Sequence, residues 1–185
     1  NLQRQILFDE NDLSKNKAKY LLALCAGLLL VLSYSPFMMW PMSFVAMITL
    51  HECWRNCTSY KQAIAVGWLF GIGLHGFGTS WFYVAFGMFS PDIPGIKTIL
   101  FIIATITFSV YPMLNSVLLY YVRNKTSQLT WQYSWSFCFC YVAVDCIKSM
   151  SDISFPWLLL GYSQINSPLR NYATLGSVFL ISFIL

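Results

Sequence analysis

Charge is scarce in this sequence. Eleven Lys and Arg and seven Asp and Glu are spread over 185 residues, 10% of the chain, against about 25% in an ordinary soluble domain. The charges present are also gathered together. They leave runs of 32 (20–51), 30 (62–91) and 25 (98–122) residues without Asp, Glu, Lys or Arg, and two more at 126–144 and 171–185. This excludes a domain solvated by water on all sides. About 20 apolar residues cross a bilayer as a helix, so the repeated runs predict a polytopic membrane protein. No small-residue cleavage site follows the basic amino-terminal tail, which argues against a cleavable signal peptide and for a first span acting as an uncleaved signal anchor.

Other absences narrow the function. There are six cysteines, but Cys25, Cys138, Cys140 and Cys146 fall in or near apolar runs, a poor setting for a disulfide framework. His51, Cys53 and Cys57 have no fourth ligand nearby, so neither a metal site nor a cofactor is expected. The net charge of +4 fits the positive-inside rule better than nucleic-acid binding. A small transporter module would need polar groups aligned along a path. The apolar runs offer His75, Asn115 and little else, and no inverted repeat is visible.

What is present is an all-α pattern, a membrane helical bundle of about six spans with the last one truncated. Residues 1–19 form a cytoplasmic basic tail. Spans are predicted at 20–35, 42–53, 62–86, 96–122, 131–150 and 172–185, with an interfacial loop at 153–170. The first uncharged run is divided by Pro36 and Pro41, which disfavour helix continuation. Basic residues support that division. With a hairpin there, Arg4, Lys15, Lys17, Lys19, Arg55, Lys61, Arg123 and Lys125 lie inside and only Lys97, Lys148 and Arg170 outside, placing the amino terminus in the cytoplasm. The final stretch, LGSVFLISFIL, stops inside an apolar run and the chain starts at Asn1, so a longer polypeptide is expected.

The stretch GIGLHGFGTSWFYV contains G-x-G-x-x-G at Gly71, Gly73 and Gly76. A dinucleotide site needs a strand before these glycines and water-accessible phosphates, whereas an uncharged helical run surrounds them. At about 100° per residue, Gly67, Gly71 and Gly78 share one narrow arc, the small-residue face of a packing helix, with Gly73 and Gly76 on another side. His75 sits mid-helix, where an ionisable group is a functional candidate; the favoured reading is a neutral imidazole donating to a carbonyl across a helix interface. Asp145 and Lys148, three apart, share a face. They either hold the following loop, with Pro156, or meet a lipid headgroup. The stretch FPWLLLGYSQINSPLR is too broken by Pro156, Gly161 and Pro168 to span and too apolar for a water-exposed loop. It reads as an interfacial anchor, or as a wall for a lipid-like substrate formed by Trp157, Tyr162 and Gln164.

These motifs, in this order, resemble the bacterial apolipoprotein N-acyltransferases. LSYSPFMMWP (32–41) looks like the family's break after the first span. GWLFGIGLHGFGTSWFYV (67–84) is similar to its glycine-rich third span ending in W-x-Y-V, and 155–169 is similar to its F-P-W…G-Y-S-Q…P-L segment. Asp145 and Lys148 stand where the family tends to have Glu and Arg, and Ser154 where it usually has Gly. The resemblance implies an inner-membrane acyltransferase of lipoprotein biosynthesis. Its partners are a phospholipid acyl donor, a diacylated apolipoprotein and membrane lipids, with no nucleic acid. It further implies a thioester on a cysteine within a Glu, Lys and Cys triad, carried by a separate nitrilase-like domain. That domain has no counterpart in this sequence. The chain would be the amino-terminal third that anchors the enzyme and helps form the lipid access surface, inactive alone and with no catalytic residue of its own. The alternative is a catalytically dead truncated remnant or scaffold.

Overall fold

A backbone shielded from water must satisfy its own hydrogen bonds, and a helix does so within one segment. The computed structural model describes residues 2–89, 94–125, 130–150 and 156–185, with side chains from Lys15 onward and, in the third segment, from Trp131. It is all-helical across them. The elements are α1 (Leu2–Val31), α2 (Pro41–Arg55), α3 (Tyr60–Gly78), α4 (Trp81–Phe89), α5 (Ile96–Phe108), α6 (Val110–Lys125), α7 (Thr130–Met150) and α8 (Ala173–Ile184), with 3-10 turns at Leu160–Gln164 and Pro168–Tyr172. Ser154 and Phe155 of the loop motif, and residues 90–93 of the connection after α4, lie outside the described residues.

The break around Pro36 is compact. Met38 N donates to Tyr34 O at 2.9 Å and Met39 N to Leu32 O at 2.9 Å, folding the chain back before Pro41 opens α2. Proline suits that first helical position because its missing N–H would be an orphan donor there. Ser59, in an extended conformation, caps α3 by accepting from Gln62 N at 3.3 Å.

Helix α3 is the centre of the bundle, packed between α1 on one side and α6 on the other; α7 joins α6 to α8. Its glycines set both approaches. A Cβ on Gly73 would land on Leu24 O of α1, and one on Gly27 would land on Phe70 O of α3 and 2.8 Å from Leu74 N. On the opposite side a Cβ on Gly67 would stand 2.6 Å from Pro112 O and one on Gly71 2.8 Å from Ser109 Cα. Gly78 faces Leu158 of the later loop, with 2.7 Å left for a Cβ. Two glycine faces are therefore used, and the Gly27–Gly73 crossing is the closer one. The buried core fills in around it with Ala23, Ala26, Leu30, Leu50, Val66 and Phe70.

The predicted third span, 62–86, is not one straight helix. It breaks after Gly78 and the chain turns by 63° into α4. The hydroxyl of Thr79 donates to His75 O at 2.6 Å, the back-bonding by which Ser and Thr bend helices. Two further bounds differ from expectation. Helix α1 runs from Leu2 and ends at Val31, and α8 carries a kink at Gly176 and Ser177. By length and composition, one continuous run among the described residues, Ile96–Lys125, can cross a membrane, or two if the bent α3–α4 pair counts as one. The other predicted spans fall short for separate reasons. Helix α2 has 15 residues, about 22 Å of rise against about 30 Å of hydrocarbon, and α7 carries Gln132, Ser134, Ser136, Asp145 and Lys148.

Charge collects at one end of the bundle. Lys19 Nζ donates to Asn56 O at 2.8 Å and to Gln62 Oε1 at 3.0 Å. The Arg123 guanidinium donates to Arg55 O at 2.7 Å and Cys57 O at 2.6 Å. These contacts bring the end of the basic tail, the α2–α3 turn and the end of α6 together.

Candidate functional site

At the other end, the loop after α7 is fastened from behind at several points. The last two turns of α7 deliver Asp145 and Lys148, both buried. Asp145 Oδ2 accepts from Leu160 N at 3.3 Å, and Lys148 Nζ donates to Trp157 O at 2.7 Å. A carboxylate and an ammonium three residues apart thus hold one amide and one carbonyl of the same short segment. Tyr34 OH reaches across from the end of α1 to Leu158 O and Leu159 O, each at 3.2 Å. Ser182 Oγ of α8 accepts from Gly161 N at 2.8 Å. Leu158 has φ 58°, a left-handed conformation uncommon for a branched residue, and its carbonyl is one of those Tyr34 holds.

With its backbone secured inward, the loop turns its apolar side chains out. Trp157 is 55% exposed, Tyr162 48% and Ile165 59%. They line a groove of about 500 Å³ whose other walls include Tyr34, Gly78, Trp81 and Pro156. The Trp81 and Trp157 rings lie 5.4 Å apart. Trp81 opens α4, so the bend after Gly78 brings the second indole to the groove. The surface is largely apolar and aromatic, rigidly backed, and has Ser35 among its lining residues.

The structure separates the residues proposed from sequence. Trp157, Tyr162 and Pro156 line the groove. Gln164 does not: it is fully buried, and Nε2 donates to Ser43 Oγ at 2.6 Å. It is a strut between the loop and α2, because a buried amide is costly unless hydrogen-bonded. His75 is also buried, but Nδ1 lies 3.1 Å from Gly71 O, one turn back in its own helix rather than across an interface. Nε2 has no hydrogen-bond partner among the described residues. His51 lies 3.4 Å from Ser134 Oγ, while Cys53 and Cys57 direct their thiols to carbonyls. Burial pushes the Cys57 thiol up, against the pull of Lys19 and Arg123, which leaves it a poor nucleophile. No group of three metal-ligating side chains occurs among the described residues.

Tyr34, Ser43, Trp81 and Ser182 complete the site and were not singled out from sequence. Tyr34 and Trp81 lie within motif stretches that were. Ser43 carries no local signal, since its partner is 121 residues away. Tyr34→Phe removes the donor shared by two carbonyls and is expected to cost about 1–2 kcal/mol, read as a lowered thermal midpoint of the purified chain and faster proteolysis within the loop.

The groove, its struts and the packing glycines all fall in the stretch 26–185, which matches the model of the apolipoprotein N-acyltransferase N-terminal domain. The chain belongs to this family. Similar curated relatives bear the name apolipoprotein N-acyltransferase. That of Pseudomonas syringae pv. tomato is 37% identical over 168 residues, 89% of this chain and 32% of the relative. That of Coxiella burnetii is 35% identical over 88% of this chain and 33% of the relative. That of Vibrio cholerae is 30% identical over 94% of this chain and 34% of the relative. The chain therefore spans about a third of the length of the curated apolipoprotein N-acyltransferases it matches.

Proposed function

We propose that this chain is the membrane-embedded amino-terminal part of an apolipoprotein N-acyltransferase of a bacterial inner membrane. Its helices anchor the enzyme with the amino terminus in the cytoplasm, and the 156–167 loop rests at the outer surface. The full-length enzyme takes an acyl chain from a phospholipid and transfers it to the amino-terminal cysteine of a diacylated apolipoprotein. The acyl-accepting chemistry belongs to a part of the enzyme outside this chain, which by itself is inactive.

The observation that carries this reading is the groove. Trp157, Tyr162 and Trp81 are held outward by a loop whose polar backbone is secured from behind, which provides an apolar platform of fixed shape. The gathering of Lys19, Arg55 and Arg123 at the opposite end supports the orientation. Exposed Ile99, Ile102, Ile103 and Ile106 on α5 support contact with hydrocarbon.

The test supplies the catalytic domain of a relative in trans and follows acylation of a model lipoprotein. Trp157→Ala with Tyr162→Ala is expected to lower acylation roughly tenfold, the scale of one lost aromatic burial, with the thermal midpoint of the chain unchanged. Acylation that needs neither residue removes the platform. Orientation is checked separately with a membrane-impermeant maleimide. Asn166→Cys, on an exposed part of the loop, is expected to react in intact spheroplasts, and Lys17→Cys only after lysis. The reverse pattern overturns the topology.

A further inference from the structure

The groove is not the largest concavity. Where α1, α2 and the α2–α3 turn meet at the basic end, a cavity of about 880 Å³ is lined by Lys15, Lys19, Leu22, Ile48, Asn56 and Gln62, among others. From its position and chemistry we infer that this cavity holds the headgroup of an anionic phospholipid of the cytoplasmic leaflet. The inference rests on the membrane reading above and concerns a different site from the acyl groove.

Three features support it. The cavity has two lysines, and Lys19 is fixed. Its ammonium has three donors, of which two go to Asn56 O and Gln62 Oε1, so its stem is held and a donor remains. Gln62 is itself tied to Asn16, its Nε2 donating to Oδ1 at 3.4 Å, which makes the polar floor a connected network. Second, Glu52 is also on the lining, but the Arg55 guanidinium lies 3.5 Å from its carboxylate, which offsets part of its repulsion of an anion. Third, the wall running toward the middle of the bundle is apolar and uncovered, with Leu22 51% and Ile48 65% exposed. A cationic floor continuing into an exposed apolar wall matches a phosphate joined to acyl chains. The volume is that of a drug-sized site, about 300–1,000 Å³, too large for a phosphate ion alone.

The test uses the full chain, purified in detergent and given equal amounts of phosphatidylglycerol and phosphatidylcholine, with bound lipid counted by native mass spectrometry. Phosphatidylglycerol is expected to be retained about fivefold over phosphatidylcholine, the effect of one well-placed cation. Lys15→Glu is expected to abolish the preference. Lys17→Glu, exposed one residue pair along α1 and off the lining, is expected to keep it. Equal retention of the two lipids overturns the site, and so does equal loss in both variants, which marks unspecific surface charge. Displacement of the lipid by millimolar inorganic phosphate overturns it as well, in favour of a free-anion site. None of these readouts depends on acylation or on labelling from the periplasm, so failure here leaves the acyl platform standing.

Discussion

Gly73→Leu is expected to prevent the chain from accumulating as a folded protein. At this position α1 and α3 meet backbone to backbone. The Cβ of any replacement would fall on Leu24 O, with Leu28 N at 3.2 Å and Gly27 Cα at 3.3 Å behind it. None of these atoms is the end of a flexible side chain, so relief requires separating two helices whose contacts form the centre of the bundle. Overpacking a close interface costs about 1–3 kcal/mol when side chains can adjust, and here they cannot. A loss of at least ~3 kcal/mol is therefore expected, read as absent monodisperse protein after extraction. Gly76→Ala is the control. A Cβ there would meet only Thr105 Cγ2, at 3.7 Å, and the variant is expected to keep the wild-type thermal midpoint. A Gly73→Leu protein that extracts and melts normally would show that the α1–α3 crossing is not as close as described.

Removing Lys148 is expected to have the next largest effect. Lys148→Ala leaves the Trp157 carbonyl without its donor and Asp145 buried without its nearby cation. Breaking a buried charge pair from one side costs about 3–5 kcal/mol. Asp145→Ala frees the Leu160 amide and strands the ammonium, with a similar cost. Making both Ala changes at once removes two charges together and is expected to cost less than the two single changes combined. Thermal midpoints of the four proteins close the cycle. Strict additivity would mean that the two residues act on the loop independently.

The helical class was legible from composition because uncharged runs of 25 residues or more leave the backbone few alternatives. The loop was legible for a similar reason, since Pro156, Gly161 and Pro168 forbid a span while Trp157 to Leu160 resist water. The role of Gln164 was not. Beside Tyr162 in the sequence it looks like another surface residue, and only the fold places Ser43 opposite its amide. The bend after Gly78 was within reach, since Gly-Thr-Ser is a poor sequence for a continuing helix, but the uncharged run around it argued for one span. The angular reading of the glycines grouped Gly67, Gly71 and Gly78 on one face. It gave no weight to Gly73, whose importance depends on Gly27, 46 positions earlier, coming directly opposite.

The bond from Gly161 to Ser182 ties the loop to the last helix of the chain. The helices that form the centre of the bundle precede the loop, yet the loop amide finds its acceptor only in α8. A nascent chain can pack α1 against α3 and fasten the loop through Tyr34, Asp145 and Lys148 while the Gly161 amide still lacks its acceptor. The last of the loop's fastenings therefore becomes available only once synthesis has passed Ser182.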